Sequence, residues 1–569
     1  MTLSLEQLPD PILANIAVHV ILNSQKFLFP VFLSGPSYTA YGDWNPITNV
    51  KDILALSCVS RRFKAVVDPI LYKNIGTNID VLQFQKHYLL VDSKKFFRDT
   101  SAPCNSLINP PTRSEFYLDY SSLSVPKNVL RHVQHLFVST YGLIKTSRSF
   151  FLPPAGVFDP VLLPNLKEIT LDLLYYELFN STSADRLRAL IVDHPNKLRV
   201  HVIQCTHEKV SSLFPLIVKT NLVEYVTTAE LKVVGEPFLH NRSFEQSVSK
   251  MVNVEKLMIQ YISFSSGPAS KQMLGLPTTT VPVAELSRSL RQLTKVKEFE
   301  FSIFDNYLAD ELLIPPNVEK LTMGTRMLYT LPKNSPMERF DKIKKLTLRV
   351  DIFSDKELEK MKLWVPFRFL ETLVIYDFEE EGAFIVAAIM AASKATLVNF
   401  FVGGINMRIQ CYILHMLGSI RRLEFLLYDF FDIDTRGADV DDYLLSVLSS
   451  APDLETLYLP VYQHDTPLER LIRLIATRMD RNSLDNLQRI HLYTPFNSNL
   501  AKSPYAISVK DLFPDCDTVT KRGFVISDFI LPVKTYDSDV QKREFCLKSV
   551  MIDVVELKQI LQHNPDLLK

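Results

Sequence analysis

One short phrase recurs along most of this chain: an apolar residue, two mostly polar residues, an apolar residue, one variable residue and a third apolar residue. The last two apolar residues are two positions apart, so their side chains lie on one face of a short strand. A single strand cannot bury that face, whereas stacked copies form a continuous core around a parallel sheet. The phrase therefore predicts a repeat array. Its eleven copies are Val133/Leu136/Val138, Leu166/Ile169/Leu171, Val254/Leu257/Ile259, Val296/Phe299/Phe301, Val318/Leu321/Met323, Ile343/Leu346/Leu348, Leu370/Leu373/Ile375, Leu397/Phe400/Val402, Ile420/Leu423/Phe425, Leu454/Leu457/Leu459 and Leu487/Ile490/Leu492.

Helical segments alternate with these strands. Looser copies of the phrase lie around Val200 and Leu231, and between copies the apolar residues recur at three- and four-residue spacing. Each repeat is therefore predicted to consist of a strand followed by a helix. The predicted helical segments are Ser183 to Ile191, Val283 to Leu293, Ala383 to Ala392 and Asp441 to Ser450.

The repeat length resembles that of leucine-rich repeats, which run to roughly 20 to 29 residues. From Phe299 the middle apolar positions follow at spacings of 22, 25, 27, 27 and 23 residues, whereas Leu257 and Phe299 are 42 apart, which predicts inserted loops. The asparagine that typically follows the phrase in regular repeats is mostly absent, so the resemblance is to the irregular repeats of many F-box proteins. It implies an α/β fold with a curved parallel sheet, whose inner surface would be roughly 60 Å long for about thirteen strands.

Two N-terminal stretches are typical of amphipathic helices. In residues 8–16, Asp10 is predicted to be the N-cap, with Pro11 at the first helical position, where a missing N–H costs nothing. A second helix is predicted to run from Asp52 to a break near Pro69. Its apolar face would consist of Leu56, Val59, Phe63 and Val66.

Together these stretches resemble the F-box, whose pattern begins with Leu-Pro and a helix, continues with Leu-x-Leu-x-x-Val-Ser-Arg-x-Phe and ends near Pro-x-Leu-Tyr. The matching residues are Leu8, Pro9, Ile12, Leu13, Ile16, Leu54, Leu56, Val59, Ser60, Arg61, Phe63, Pro69, Leu71 and Tyr72. The resemblance implies docking onto the Skp-type adaptor of a cullin-RING ubiquitin ligase through a helical groove.

The adaptor-binding residues that this resemblance implies are Leu8, Pro9, Ile12, Leu13, Ile16, Leu54, Leu56, Val59, Phe63, Leu71 and Tyr72. Leu8, Pro9, Ile12 and Ile16 are the expected anchors. Leu54, Leu56, Val59 and Phe63 are expected to be shared between the internal core and the interface. The sequence does not separate these two kinds of burial, and the motif could instead be a small helical cap for the repeat array.

The domain organisation follows from these two patterns. Residues 1–75 form the predicted F-box, residues 76–130 a connecting or capping segment, and residues 131–569 an irregular leucine-rich-repeat solenoid. An insertion at about residues 23–50 departs from the F-box pattern, and its apolar residues could pack on the solenoid, contact a partner or cover the adaptor-binding face. The amphipathic stretch from Asp553 to Leu561 is predicted to cap the C-terminal end.

Composition narrows the possible partners and compartments. Lys and Arg number 63, as do Asp and Glu, so no strong field favours nucleic acid or an anionic membrane surface. The apolar stretch from Ile12 to Leu33 is broken by polar residues and Pro30, which argues against a membrane span. The N-terminus lacks signal-peptide features, and six separated cysteines without a Cys-x-x-Cys pair fit a reducing compartment, the cytoplasm or the nucleus.

No catalytic motif is recognisable in the sequence. Phosphate-binding glycine loops, H-E-x-x-H and G-x-S-x-G are absent, and His132 with His135 lacks a third metal ligand. We therefore predict no catalytic residue, metal or cofactor, and a substrate-recognition subunit that holds an unknown protein target on its solenoid. A scaffold or assembly factor without a role in ubiquitination is the alternative, and an enzyme hidden in an insertion such as residues 255–300 is a third hypothesis.

Overall fold

A computed structural model defines the fold. It describes residues 8–14, 16–17, 45–46, 58–77, 116–119, 127–139, 160–172, 181–207, 222–234, 248–262, 279–282, 284–303, 307–310, 312–329, 331, 337–349, 363–376, 383–403, 417–426, 450–460, 486–497, 526–534, 544–555, 559 and 563. The chain forms two compact units. Unit 1 comprises Met1–Asp92 and Pro111–Asn317, and unit 2 comprises Ser93–Pro110 and Val318–Lys569.

Unit 1 is built on a parallel sheet. Its strands are β1 Asn45–Pro46, β2 Asn74–Thr77, β3 Phe116–Asp119, β4 His135–Ser139, β5 Glu168–Asp172, β6 Arg199–His207, β7 Val226–Val234, β8 Lys256–Ile262, β9 Thr279–Pro282, β10 Glu298–Ile303 and β11 Tyr307–Asp310. The sheet order is β1-β3-β2-β4-β5-β6-β7-β8-β10, and β9 pairs separately with β11. Residues 10–14 and 16–17 are helical and are called the N-terminal helix. Further helices of unit 1 are α1 Arg61–Leu71, α2 Ser181–Val192 and α3 Ala284–Arg291, with 3-10 turns at Lys127–His132 and Val223–Tyr225.

Unit 2 repeats this arrangement and ends differently. Its strands are β12 Lys320–Gly324, β13 Lys345–Arg349, β14 Thr372–Tyr376, β15 Asn399–Gly403, β16 Arg422–Leu426, β17 Thr456–Pro460, β18 Arg489–Asn497, β19 Ile526–Lys534 and β20 Glu544–Asp553. β12 to β18 pair successively in parallel, and β20 then pairs antiparallel with both β18 and β19. The helices are α4 Glu338–Asp341 and α5 Ala383–Ala392, with 3-10 turns at Thr325–Tyr329 and Leu417–Ser419.

The predicted phrase supplies the core of both sheets, and its copies are in register. In unit 2 one column of paired positions runs through Leu321, Leu346, Leu373, Phe400, Leu423, Leu457 and Ile490. In unit 1, Leu136 pairs with Ile169 and Ile169 with Val200. All three of these side chains are buried. The predicted repeat array around a parallel sheet is therefore confirmed.

Three of the four predicted helical segments are confirmed, as α2, α3 and α5. The fourth, Asp441 to Ser450, lies outside the described residues except for Ser450. The long spacing between Leu257 and Phe299 is also explained, because these two residues pair directly while the chain between them supplies β9 and α3.

Polar side chains join successive repeats at a position that the sequence analysis did not identify. In several repeats the residue immediately before the first apolar position of the phrase donates from its side chain to a backbone carbonyl of the preceding repeat. The signal was present in the sequence as Pro164-Asn165-Leu166 and Pro316-Asn317-Val318. In unit 1, Asn165 Nδ2 donates to Arg131 O at 2.7 Å, Asn253 Nδ2 to Glu224 O at 2.5 Å and Asn317 Nδ2 to Thr294 O at 2.7 Å.

A bulge interrupts the register between β6 and β7, at Val200 and His201. Thr227 is the additional residue, and its hydroxyl accepts from Val200 N and donates to Val200 O, both at 3.1 Å. The threonine side chain thus satisfies the backbone groups that the bulge would leave without a ladder partner.

The C-terminal end differs from the sequence-based prediction. We expected a helix to cap the array, and residues 554, 555, 559 and 563 are indeed helical. The sequence analysis missed the antiparallel strands β19 and β20, which precede that helix. Both strands contain the spacing of the phrase, at Ile526/Phe529/Leu531 and Leu547/Val550/Ile552, but this spacing does not reveal the direction in which strands pair.

The inserted segment at residues 23–50 lies outside the described residues, apart from β1. There Asn45 and Pro46 pair in parallel with Phe116 and Tyr117 of β3. β3 belongs to residues 76–130, the predicted connecting or capping segment. The insertion and this segment therefore both contribute a strand to the edge of the unit 1 sheet.

We expect Leu373→Ala to lower the free energy of unfolding by about 2–5 kcal/mol, because it would leave a cavity in the column formed with Leu346 and Phe400. Thr372→Ala on the opposite face of the same strand is the matched control, with an expected loss below about 1.5 kcal/mol for one hydrogen bond to Asn399. Urea titration followed by circular dichroism measures both. Equal losses would contradict a continuous core.

Candidate protein-binding surface at the N-terminus

The N-terminal segment begins as a helix one residue earlier than predicted. Residues 10–14 and 16–17 are helical, and the carbonyl of Pro9 accepts from Ile12 N at 3.0 Å and Leu13 N at 3.1 Å. Asp10 is therefore the first helical residue and not the N-cap. Its carboxylate is bound by the guanidinium of Arg62, which explains why it does not cap its own helix.

The second predicted helix is also corrected. The helix α1 begins at Arg61, after a turn and bend at Cys58 and Val59, and does not run continuously from the segment around Asp52. Its N-cap is Ser60, whose hydroxyl accepts from Phe63 N at 3.2 Å. The predicted break near Pro69 is wrong as well, because α1 continues through this proline to Leu71.

A small apolar core holds these elements to the first repeat. Leu13 and Ala17 of the N-terminal helix are buried, and α1 packs against the 3-10 turn at Lys127–His132. The further buried apolar side chains here are Phe63, Val67 and Leu71 of α1 with Val129 and Leu130 of that turn.

One buried charge lies at the same junction. Burial raises the pKa of the Asp68 carboxyl, and the nearby charges of Lys64, His132 and Arg131 oppose that rise. Burial also raises the pKa of the Tyr72 phenol, with smaller contributions from Asp68 and Cys58. The helix α1 thus contributes both apolar and titratable side chains to this junction. The N-terminal motif is therefore packed as part of unit 1.

The nine predicted adaptor-binding residues that the structure describes separate into three groups by burial. Leu13, Phe63, Leu71 and Tyr72 are buried in this core, and Leu8 and Ile16 are half-buried. Exposed are Pro9, Ile12 at 44% and Val59 at 57%. Leu54 and Leu56 lie outside the described residues. An adaptor-binding role stays a prediction for all eleven residues, but Pro9, Ile12 and Val59 are those that a partner could reach directly.

Arg62 connects the two parts of this exposed surface. From α1, its Nε donates to Asp10 Oδ1 at 2.9 Å and its Nη2 donates to the same oxygen at 2.6 Å. The same Nη2 also donates to the carbonyl of Leu8 at 2.8 Å. The start of the N-terminal helix is thereby tied to the first turn of α1, three residues beyond Val59.

The histidines considered as metal ligands have structural partners. The ring of His135 contacts Thr170 Oγ1 at 3.0 Å and Glu168 Oε1 at 3.4 Å through Nε2. Burial lowers the pKa of His135 to about 3, with smaller contributions from His201 and Lys73. The part of the chain that the structure describes contains no group of three His, Cys, Asp or Glu side chains able to hold a metal ion.

The outward face of the unit 1 sheet contains buried polar groups. Glu230 of β7 is 1% exposed, and its Oε1 lies 3.3 Å from Nε2 of the buried His201 on β6. Thr170 and Glu300 on the same face are buried as well. The two groups do not form a hydrogen bond, and among the described residues His201 Nε2 and both carboxylate oxygens of Glu230 are buried without a hydrogen-bond partner. A carboxylate in such a position is costly unless it is paired.

Successive parallel strands in register, buried L-x-x-L-x-L side chains and intervening helices define a leucine-rich-repeat-like array in each unit. Arrays of this class are typically protein-binding scaffolds. Within the described residues, no helix has the length and apolar character needed to cross a bilayer.

Comparison with known proteins adds no family assignment. No protein-family model matches the chain, and no curated protein matches it significantly. Among solved structures, the leucine-rich repeat-containing protein LegL7 from Legionella pneumophila is similar, with 15% identity over 61% of this chain and 90% of its own, at a TM-score of 0.28. The repeat architecture is therefore assigned from the register and burial within this chain.

We expect the low pKa of His135 to make the protein less stable in mild acid. Between pH 6.5 and pH 3 the unfolded chain would bind a proton at this residue that the folded chain does not, so stability falls as pH falls. The loss between pH 7 and pH 5 is about 2 kcal/mol. In urea titrations the His135→Gln variant should lose about 2 kcal/mol less unfolding free energy between pH 7 and pH 5 than the wild type. Between pH 7 and pH 8 the two proteins should show the same pH dependence. An unchanged acid slope would contradict a buried, neutral His135.

Proposed function

We propose that this protein is the substrate-recognition subunit of a cullin-RING ubiquitin ligase, with its N-terminal motif binding a Skp-type adaptor and its repeat array binding a protein target. The observation that carries the proposal is the division of the motif into two faces. Leu13, Phe63 and Leu71 form its internal core, whereas Ile12 and Val59 remain exposed.

Exposed aliphatic side chains on a helical surface fit a partner that supplies a hydrophobic groove. Single exposed apolar residues are common on proteins and need no explanation. Here the exposed residues Pro9, Ile12 and Val59 coincide with positions of the F-box pattern, and the tie between Arg62 and Asp10 joins the segments that carry them. This coincidence supports helix-in-groove docking.

The connection between the motif and the first repeats of unit 1 is short and hydrogen-bonded. Only Tyr72 and Lys73 separate α1 from β2, the strand that pairs with β4. The carbonyl of Lys73 accepts from Gln134 N at 2.8 Å and from His135 N at 3.1 Å. No flexible linker intervenes, so the orientation of the first repeats of unit 1 follows that of α1.

A target could bind the sheet face of unit 2, which exposes polar and basic positions. At the strand position just before the paired core column, Lys320 and Arg489 are exposed, and Lys345, Thr372, Asn399 and Thr456 are half-buried. Such side chains can donate and accept hydrogen bonds along an extended protein surface. We propose an unidentified protein target there, not nucleic acid or membrane.

In this mechanism the chain performs no chemistry. A separately bound conjugating enzyme would transfer ubiquitin to a lysine of the bound target, and the receptor would contribute position alone. The proposed location is the cytoplasm, the nucleus or both. A protein-binding scaffold without a ligase role is the second candidate, since the repeat array supports target binding with or without the adaptor.

Charge introduced at the exposed face tests adaptor binding. We expect Ile12→Asp combined with Val59→Asp to abolish measurable binding of the purified full chain to a Skp-type adaptor, because each carboxylate would be desolvated in an apolar groove. The fold should be retained, because both positions are solvent-exposed in the free protein. Isothermal titration calorimetry measures binding, and circular dichroism verifies folding.

Val252→Asp is the matched control, because Val252 is 47% exposed in the same unit, away from the motif. It should bind the adaptor as the wild type does. An adaptor that binds the Ile12→Asp/Val59→Asp variant with wild-type affinity would contradict this binding surface.

Turnover of the target distinguishes the ligase from the scaffold. Deletion of the motif would remove α1 and expose the first repeat, so the Ile12→Asp/Val59→Asp variant is the better tool. We expect proteins captured by the wild-type array in cells to have a longer half-life in cells that express only this variant, because the target is held but not ubiquitinated. Pulse-chase measurement with the Val252→Asp chain as control gives the comparison, and an unchanged half-life would favour the scaffold.

A further inference from the structure

The N-terminal helix is attached to α1 by an ion pair between two exposed side chains. The side chain of Arg62 is 44% exposed and that of Asp10 is 64% exposed. Exposed ion pairs generally contribute only about 0–1 kcal/mol to stability, since water solvates both partners in the unfolded chain. The three hydrogen bonds that Arg62 donates to Asp10 and Leu8 are therefore expected to add little to the stability of the whole chain.

The contacts do, however, determine where the exposed Pro9 and Ile12 lie. Arg62 binds the residues on both sides of Pro9: the carbonyl of Leu8 at 2.8 Å and the carboxylate of Asp10 at 2.6 Å. A guanidinium presents its N–H groups in a rigid plane, so the backbone direction at Pro9 is constrained relative to α1. Val59 precedes the same helix and is constrained by the Ser60 cap.

We infer that Arg62 is a positioning residue for adaptor binding, which orders Leu8 to Ile12 against α1 so that Pro9, Ile12 and Val59 form one docking surface. This role rests on the proposed function and adds to it, because it assigns part of the affinity to a residue that need not touch the adaptor. The reason is preorganisation: a surface already ordered in the free protein does not lose conformational entropy when it binds.

Three roles of Arg62 make different predictions for paired substitutions. A positioning role requires both partners, so removal of Asp10 should have the same kind of effect as removal of Arg62. A direct contact of Arg62 with the adaptor predicts that Asp10 is dispensable. A purely structural role predicts that binding falls only together with the stability of the chain.

The experiment is a double-mutant cycle on the full-length protein, with binding of a Skp-type adaptor measured by calorimetry and unfolding measured by thermal denaturation. We expect Arg62→Met to weaken binding about tenfold and Asp10→Ala to weaken it severalfold. The double variant should bind about as weakly as Arg62→Met alone, because the second substitution removes nothing further. Asp10→Asn should retain much of the affinity, since an amide oxygen still accepts from Arg62.

Two controls separate positioning from general effects. Arg186→Met removes an exposed arginine from α2 in the same unit and should bind as the wild type does. The unfolding midpoint of Arg62→Met should fall by only a few degrees at most, as for loss of a surface ion pair. A midpoint lowered as far as that of a core variant such as Leu373→Ala would overturn the positioning role in favour of a structural one.

The remaining outcomes are also decisive. Losses for Arg62→Met and Asp10→Ala that multiply in the double variant would show two independent contributions and overturn the inference, as would an Asp10→Ala variant with wild-type affinity. Absence of adaptor binding by the wild-type chain would overturn the proposed function and the positioning role together. Binding by the wild type with independent losses would overturn the positioning role alone.

Discussion

A strand of five residues with apolar side chains at two alternate positions cannot exclude water from its own core face, and this constraint governs the structure. In both units it is met by register: Leu346 of β13 pairs with Leu373 of β14, which pairs with Phe400 of β15. All three side chains are buried. Because every strand depends on its neighbours for burial, the repeat is stable only as part of an array, and the ends of the array need elements of another kind.

The N-terminal motif packs against the first repeat of unit 1 with one face and leaves a second face exposed. The buried face of α1, with Phe63 and Leu71, packs against the 3-10 turn before β4, and two residues later the chain enters the sheet as β2. The exposed face carries Ile12 and Val59. The proposed adaptor docking would use the exposed face and leave the packing of the buried face in place, so substitutions on the two faces should have separable effects.

Polar groups hold the array together where the apolar phrase does not. Asn165 and Asn317 donate to carbonyls of preceding repeats, and the hydroxyl of Thr227 occupies the bulge between β6 and β7. On the outward face, the contact between His201 and Glu230 leaves a buried carboxylate beside one imidazole. These repeats thus use an asparagine before the phrase at several joints and a threonine side chain at the bulge, where regular repeats use an asparagine after the phrase.

The sequence by itself determined the repeat, most of its strands and helices, and the two stretches of the N-terminal motif, because hydrophobic periodicity is a local property of the chain. It could not assign Leu13 to the core and Ile12 to the surface, nor pair Asp10 with Arg62 across 52 positions. The antiparallel strands β19 and β20 and the start of α1 at Arg61 were also decided by the tertiary structure. The contacts of Leu13, of Asp10 with Arg62 and of β19 with β20 join residues that the spacing of apolar positions does not relate to one another. The start of α1 depends on which residue caps the helix, and that spacing does not identify the cap either.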